Sequence, residues 1–134
     1  MARRNSYTGK YKISKHEYLN AYHYAMRYDE WRAEYNSLSD NSKAITYTEL
    51  PHGSGMGDPT ALYGQRRAEL AAKMGNVEEA AKTADPELSD YILYAATHEG
   101  VTFEYLQAEK KIPCSRNTYY DRRRKFYYHL SKAI

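Results

Sequence analysis

An all-α fold is what this sequence predicts, and three observations predict it. Apolar residues recur at alternating three- and four-residue spacings over long stretches. Helix-start signatures stand ahead of those stretches: a Ser, Thr or Asp cap followed by Glu or Pro. No segment shows the strict alternation of a half-buried strand. The expected architecture is a long N-terminal helix, a loop, and a helical domain that ends in a helix-turn-helix. In domain terms, residues 1–57 hold a basic arm, the long amphipathic helix and a flexible loop. Residues 58–134 hold the helical domain, with the helix-turn-helix at about 102–132.

Each element has a local reason. Residues 1–13 are a polar, basic arm. Ser14 with Glu17 forms a capping box that opens the first helix. Ala21, Tyr24, Tyr28, Trp31, Tyr35 and Leu38 then keep one face over about residues 15–37. That stripe either packs on the rest of the domain or forms a dimer seam, and intramolecular packing suits a chain with so little other core. Ser39-Asp40-Asn41-Ser42 is expected to end this helix, and Ala44 to Leu50 to be briefly extended. Pro51 to Gly57 reads as a flexible loop. Asp58-Pro59 starts a second helix that carries Tyr63, Arg67, Leu70, Met74, Val77 and Ala81 to about residue 83. Gly75 does not disturb the phase of that face, so one helix is expected. Asp85-Pro86 repeats the cap-plus-proline start for a third helix, which ends near His98 with Gly100 as its stop. Thr102 caps a short helix over 103–110, with Phe103 and Leu106 inward. Lys111-Ile112-Pro113-Cys114 is a turn, and Ser115 caps a last helix to about Lys132.

Composition bounds the function. The chain has 134 residues with 16 Tyr but only two Phe and one Trp, so its core is expected to lean on tyrosine rings. No apolar run approaches a bilayer span. Met-Ala-Arg-Arg is followed by no apolar stretch, so no secretory signal is expected and cytoplasmic residence is the default. A single cysteine, Cys114, excludes an internal disulfide framework and any multi-cysteine zinc site. A place beside a helix start can lower a thiol pKa, but a small turn residue is the preferred explanation.

Charge is separated along the chain. Residues 58–99 carry four Lys/Arg against eight Asp/Glu, whereas residues 100–134 carry eight against three. A basic C-terminal third suits a polyanionic partner. Within it, helix, four-residue turn and capped basic helix follow in the order of a helix-turn-helix. Ile112 plugs the corner. With Tyr119 inward, Phe126 and Leu130 are inward too. Arg122 or Arg123 is then expected at the edge, its stem packed and its head out. Ser115, Arg116, Asn117, Thr118, Tyr120, Asp121 and Arg124 make up the face expected to meet base edges, where Arg suits guanine and Asn suits adenine. Lys110, Lys111, Arg122 and Lys125 flank it as phosphate contacts, and Arg3 and Arg4 of the arm add two more.

The stretch G-V-T-F-E-Y-L, followed by I-P-C-S-R-N-T-Y-Y-D-R-R-R-K-F-Y-Y-H-L, resembles the C-terminal end of RinA-like and ArpU-like late-gene activators. These are encoded by phages and prophages of Gram-positive bacteria. Their C-terminal part is similar to the promoter-reading region four of sigma factors. The first helix, with H-E-Y-L-N-A-Y-H-Y-A and Y-D-E-W, resembles the upstream part of such proteins. The resemblance implies sequence-specific binding of duplex DNA near a promoter in a bacterial host cell, with activation through RNA polymerase. The abundance of Tyr at core-like positions departs from the pattern.

Other chemistry is weak. Gly53-Ser54-Gly55-Met56-Gly57 lacks the Gly-Lys-Ser/Thr ending of a phosphate loop and fails the nucleophile-elbow pattern. The five histidines show no ligand spacing, and the adjacent carboxylate pairs diverge on their helices. No catalytic constellation is present, so the reading is a binding protein rather than an enzyme, with no cofactor and no metal. Exposed rings such as Tyr11, Tyr18, Tyr22 or Tyr105 would suit a protein partner or base stacking. Two rival functions stay open: an accessory protein that binds and inhibits a host or defence protein, and a small terminase-like DNA-packaging factor. A homodimer is compatible with the first-helix stripe.

Overall fold

The computed structural model describes residues 10–47 and 59–134. These residues form α-helices and turns, and no strand occurs among them. The helices are α1 (Lys15–Met26), α2 (Tyr28–Tyr47), α3 (Pro59–Ala84), α4 (Ser89–Thr97), α5 (Phe103–Lys110) and α6 (Arg116–Ala133). No helix among the described residues is long and apolar enough to cross a membrane. The chain divides into two compact units. One comprises the residues up to Arg27 together with Asn76–Ile134, and the other is Tyr28–Gly75. The boundaries thus fall at the α1–α2 junction and inside α3, not at residue 57.

The expected single helix over 15–37 is corrected in two ways. It is interrupted at Arg27, whose backbone sits at φ −86° and ψ −1° and donates its N–H to the Tyr24 carbonyl at 3.1 Å. The stripe read as one face serves two cores: Ala21 and Ala25 are buried in the first unit, Tyr28 and Trp31 in the second. The chain then stays helical past Leu38 to Tyr47. Ser, Asp and Asn cost only tenths of a kcal/mol each inside a helix, unlike Gly or Pro, so a run of them need not end one. Residues 44–47, expected to be extended, are therefore helical. The loop expected at 51–57 and the Asp58 cap lie outside the described residues.

The Tyr28–Gly75 unit has a small apolar core of Tyr28, Trp31 and Leu70, and cations extend it. Arg67 lies 4.3 Å from the Tyr35 ring centre, and Lys73 lies 5.7 Å from that of Trp31. Arg66 grips Glu34 through two nitrogens, at 2.7 and 3.0 Å. Helix α3 runs unbroken through Gly75, as its phase implied.

The first unit carries α1, the end of α3 and the last three helices. Helices α1, α4 and α6 pack on one another. Alanines at 21, 25, 80, 81, 84 and 96 let the helix backbones approach, and Ile13, Val77, Leu88, Ile92, Phe126 and Leu130 fill the rest. Three caps stand where the sequence put them. Ser14 and Glu17 form the full capping box. Thr102 accepts the Tyr105 N–H, and Ser115 accepts the Thr118 N–H. Asp85 differs: α4 starts at Ser89, and Asp85 caps the preceding turn through the N–H groups of Glu87 and Leu88, at 2.9 and 3.2 Å. Gly100 takes φ +79° beyond the end of α4, a conformation that suits glycine.

Tyrosine fills the interface of α1 with α6. Tyr18 meets Tyr127 edge-on at 5.2 Å, Tyr22 joins the cluster, and Tyr11 lies 5.8 Å from Tyr128. Three of the four rings singled out for a partner are thus engaged internally. The fourth, Tyr105, is 40% exposed.

Candidate nucleic-acid interface

Helix α5 ends at Lys111, a non-glycine residue held at φ 57° and ψ 46°. The N–H groups of Lys111 and Ile112 both reach the Leu106 carbonyl, and the buried Ile112 side chain fills the corner. Pro113 prevents the helix from resuming, and Ser115 opens α6. Phe103, Leu106, Ile112, Tyr119, Phe126 and Leu130 are all buried, and across the turn the Phe103 ring of α5 meets the Tyr119 ring of α6 at 5.9 Å.

The residues expected to face DNA separate into groups. Ser115, Arg116 and Asn117 are exposed on the first turn of α6. The Ser115 and Thr118 hydroxyls lie 3.1 Å apart and hydrogen-bond to each other. Arg116 is 57% exposed, lies over the Tyr120 ring at 5.2 Å and pairs with Glu104. Asp121 and Arg124 lie deeper. Arg124 is 18% exposed, and Asp121 is shared between Arg122 at 2.5 Å and the more distant Arg124 and Lys10, each at 3.9 Å. Val101, Thr102, Arg116, Asn117, Tyr119, Tyr120, Asp121, Arg123 and Arg124 line one open cleft of about 790 Å³.

The expected phosphate contacts separate as well. Lys110 and Lys111 are exposed, Lys110 over the Tyr94 ring at 4.4 Å. Lys125 is half-buried. Arg122 is partly exposed and tied down, with its Nε donating to Asp85 at 3.0 Å. Burial works against the Asp85 charge, but the Arg122 guanidinium and the N–H groups of Leu88 and Glu87 hold its carboxyl below the usual range. Arg3 and Arg4 lie outside the described residues.

The sequence leaves Arg122 or Arg123 for the edge of the core face, stem packed and head out. The structure half-buries Arg123 between Tyr127, 5.2 Å from its guanidinium, and the Tyr18 hydroxyl at 3.5 Å. The signal was present: Tyr119, Arg123 and Tyr127 are four apart, so all three share the core stripe. Burial pushes the phenol of Tyr119 up to about 12 and that of Tyr127 higher still, so both rings are neutral. Burial, then the charge of Asp85, raises the Cys114 thiol, which agrees with the preferred reading of a small turn residue over an activated thiol. Burial and the neighbouring Lys125 lower His129. Among the described residues no three His, Cys, Asp or Glu side chains gather where they would hold a metal.

No protein-family model, curated protein or solved structure matches this chain.

Proposed function

We propose that the chain is a sequence-specific double-stranded-DNA-binding regulator that reads the major groove with the start of α6. One observation carries the reading: Arg116, Asn117 and Tyr120 lie on the first turns of a capped helix that is joined to α5 by a tight four-residue turn. Arginine and asparagine are the side chains that recognise guanine and adenine edges in pairs of hydrogen bonds. Lys110 and Lys111 stand at the end of α5, where the phosphates of a duplex would lie with α6 in its major groove. The resemblance to late-gene activators of phages and prophages supports a promoter as the site, a bacterial cytoplasm as the place, and RNA polymerase as the second partner. One such motif buries little surface, so a second contact by polymerase or a second copy would complete the specificity.

Selection of duplexes from a randomised pool, followed by fluorescence anisotropy on the enriched sequence, tests this. Arg116→Ala or Asn117→Ala is expected to cost roughly 1–3 kcal/mol if either makes a paired base contact. No enrichment above input would refute the reading.

A second reading has an observation in its favour. Glu104, Asp85 and Asp121 already balance much of the charge of α6. A helix whose arginines are internally paired also suits a protein partner, as in an inhibitor of a host enzyme. A salt-insensitive partner, recovered in place of DNA, would favour it.

A further inference from the structure

The cleft beside the start of α6 contains a cation whose charge the fold does not balance. Arg116 has Glu104, Arg122 has Asp85 and Asp121, and Arg124 has Asp121. Arg123 is half-buried, and no carboxylate of the described residues pairs with it. Its neighbours are tyrosines: the Tyr127 ring, the Tyr18 hydroxyl and the Tyr119 side chain. A ring face compensates a guanidinium charge only in part. The cleft has the volume of a small-ligand site. Its remaining donors are Arg116, Arg124, Asn117 and Tyr120, and its one acid, Asp121, is shared among Lys10, Arg122 and Arg124.

We propose that this cleft is an anion site that takes a phosphate group, held by Arg123 and Arg124. Guanidinium groups match a phosphate through forked pairs of hydrogen bonds. The proposal deepens the DNA-binding reading, because the phosphate belongs either to the DNA backbone or to a free phosphate-bearing small molecule.

The test uses the full chain and inorganic phosphate, titrated at millimolar concentration against chloride at equal ionic strength and pH. Thermal unfolding and calorimetry are the readouts. The expected result is a saturable rise in Tm that is specific to phosphate. Arg123→Gln and Arg124→Gln are expected to weaken phosphate binding at least about tenfold. General salting-in or salting-out by phosphate acts on every variant alike, so only the part lost in the variants counts. Arg124→Gln carries the test if Arg123→Gln fails to fold. Equal curves in phosphate and chloride, or an undiminished rise in a folded variant, would overturn the site. If phosphate displaces a labelled duplex at constant ionic strength, the backbone is the source. If it binds without displacing the duplex, a free ligand is the source. Phosphate binding without any DNA binding refutes the regulator reading alone, and DNA binding without phosphate binding refutes this site alone.

Discussion

Replacing Asp85 separates two jobs that one carboxylate performs. Its Oδ1 accepts the N–H groups of Glu87 and Leu88, and its Oδ2 accepts the Arg122 Nε at 3.0 Å. Asp85→Asn retains an oxygen for the turn but loses the charge. Asp85→Ala loses both. A hydrogen bond between charged groups contributes about 1.5–3 kcal/mol, and solvent screening at a 36%-exposed Arg122 brings that nearer 1. Loss of the turn cap adds about 1 more. Asp85→Asn should therefore cost about 1 kcal/mol and Asp85→Ala about 2, measured by urea unfolding at pH 7. The pH dependence has a definite sign. The folded carboxyl titrates below its unfolded value of about 4, so its stabilisation is complete above that value and is lost as pH falls through the depressed pKa. A cycle with Arg122→Ala should give a coupling near 1 kcal/mol, and Arg122→Ala should leave the salt slope of DNA binding unchanged. Equal stability of Asp85→Asn and the parent at pH 7, with no coupling to Arg122, would refute the reasoning. A reduced salt slope in Arg122→Ala would return that arginine to the phosphate contacts.

Three further outcomes follow from single positions. Lys111 occupies a left-handed conformation that costs a non-glycine residue about 1 kcal/mol, so Lys111→Gly should raise Tm while weakening DNA binding, and a fall in Tm would contradict the strain. Tyr119 and Tyr127 resist ionisation in the fold, so stability should fall as pH rises above about 10, where the unfolded phenols ionise, by up to about 1.4 kcal/mol per pH unit for each ring. Ultraviolet titration of the phenolates should show these two rings titrating with unfolding, not before it. Cys114 should react with a thiol reagent at pH 8 more slowly in the folded than in the urea-unfolded chain, and faster reaction when folded would contradict its raised pKa.

What the sequence disclosed was local chemistry. The Ser14–Glu17 box, Thr102 and Ser115 each placed a helix start, because a hydroxyl before an apolar-periodic run has few other uses. The buried set Phe103, Leu106, Ile112, Tyr119, Phe126 and Leu130 was legible from the three-four spacing around one turn. The break at Arg27 was not legible. It involves no glycine or proline, and it arises because one apolar stripe feeds two cores. The extent of α2 was missed because weak helix formers were read as breakers. At the candidate interface, charge said that α6 is basic but not which arginines carboxylates occupy. Asp85 lies 37 positions before Arg122, and no local pattern reports such a pair.

The central claim is that α6 reads bases with its first turns. Its most direct measurement is the ratio of affinities for an enriched duplex and its scrambled counterpart, taken for the parent, Arg116→Ala and Asn117→Ala at two salt concentrations. The account predicts that each variant lowers that ratio, whereas Lys110→Ala weakens both duplexes equally and flattens the salt slope by about one unit. A parent ratio of one, or a ratio that neither α6 variant changes, would contradict it.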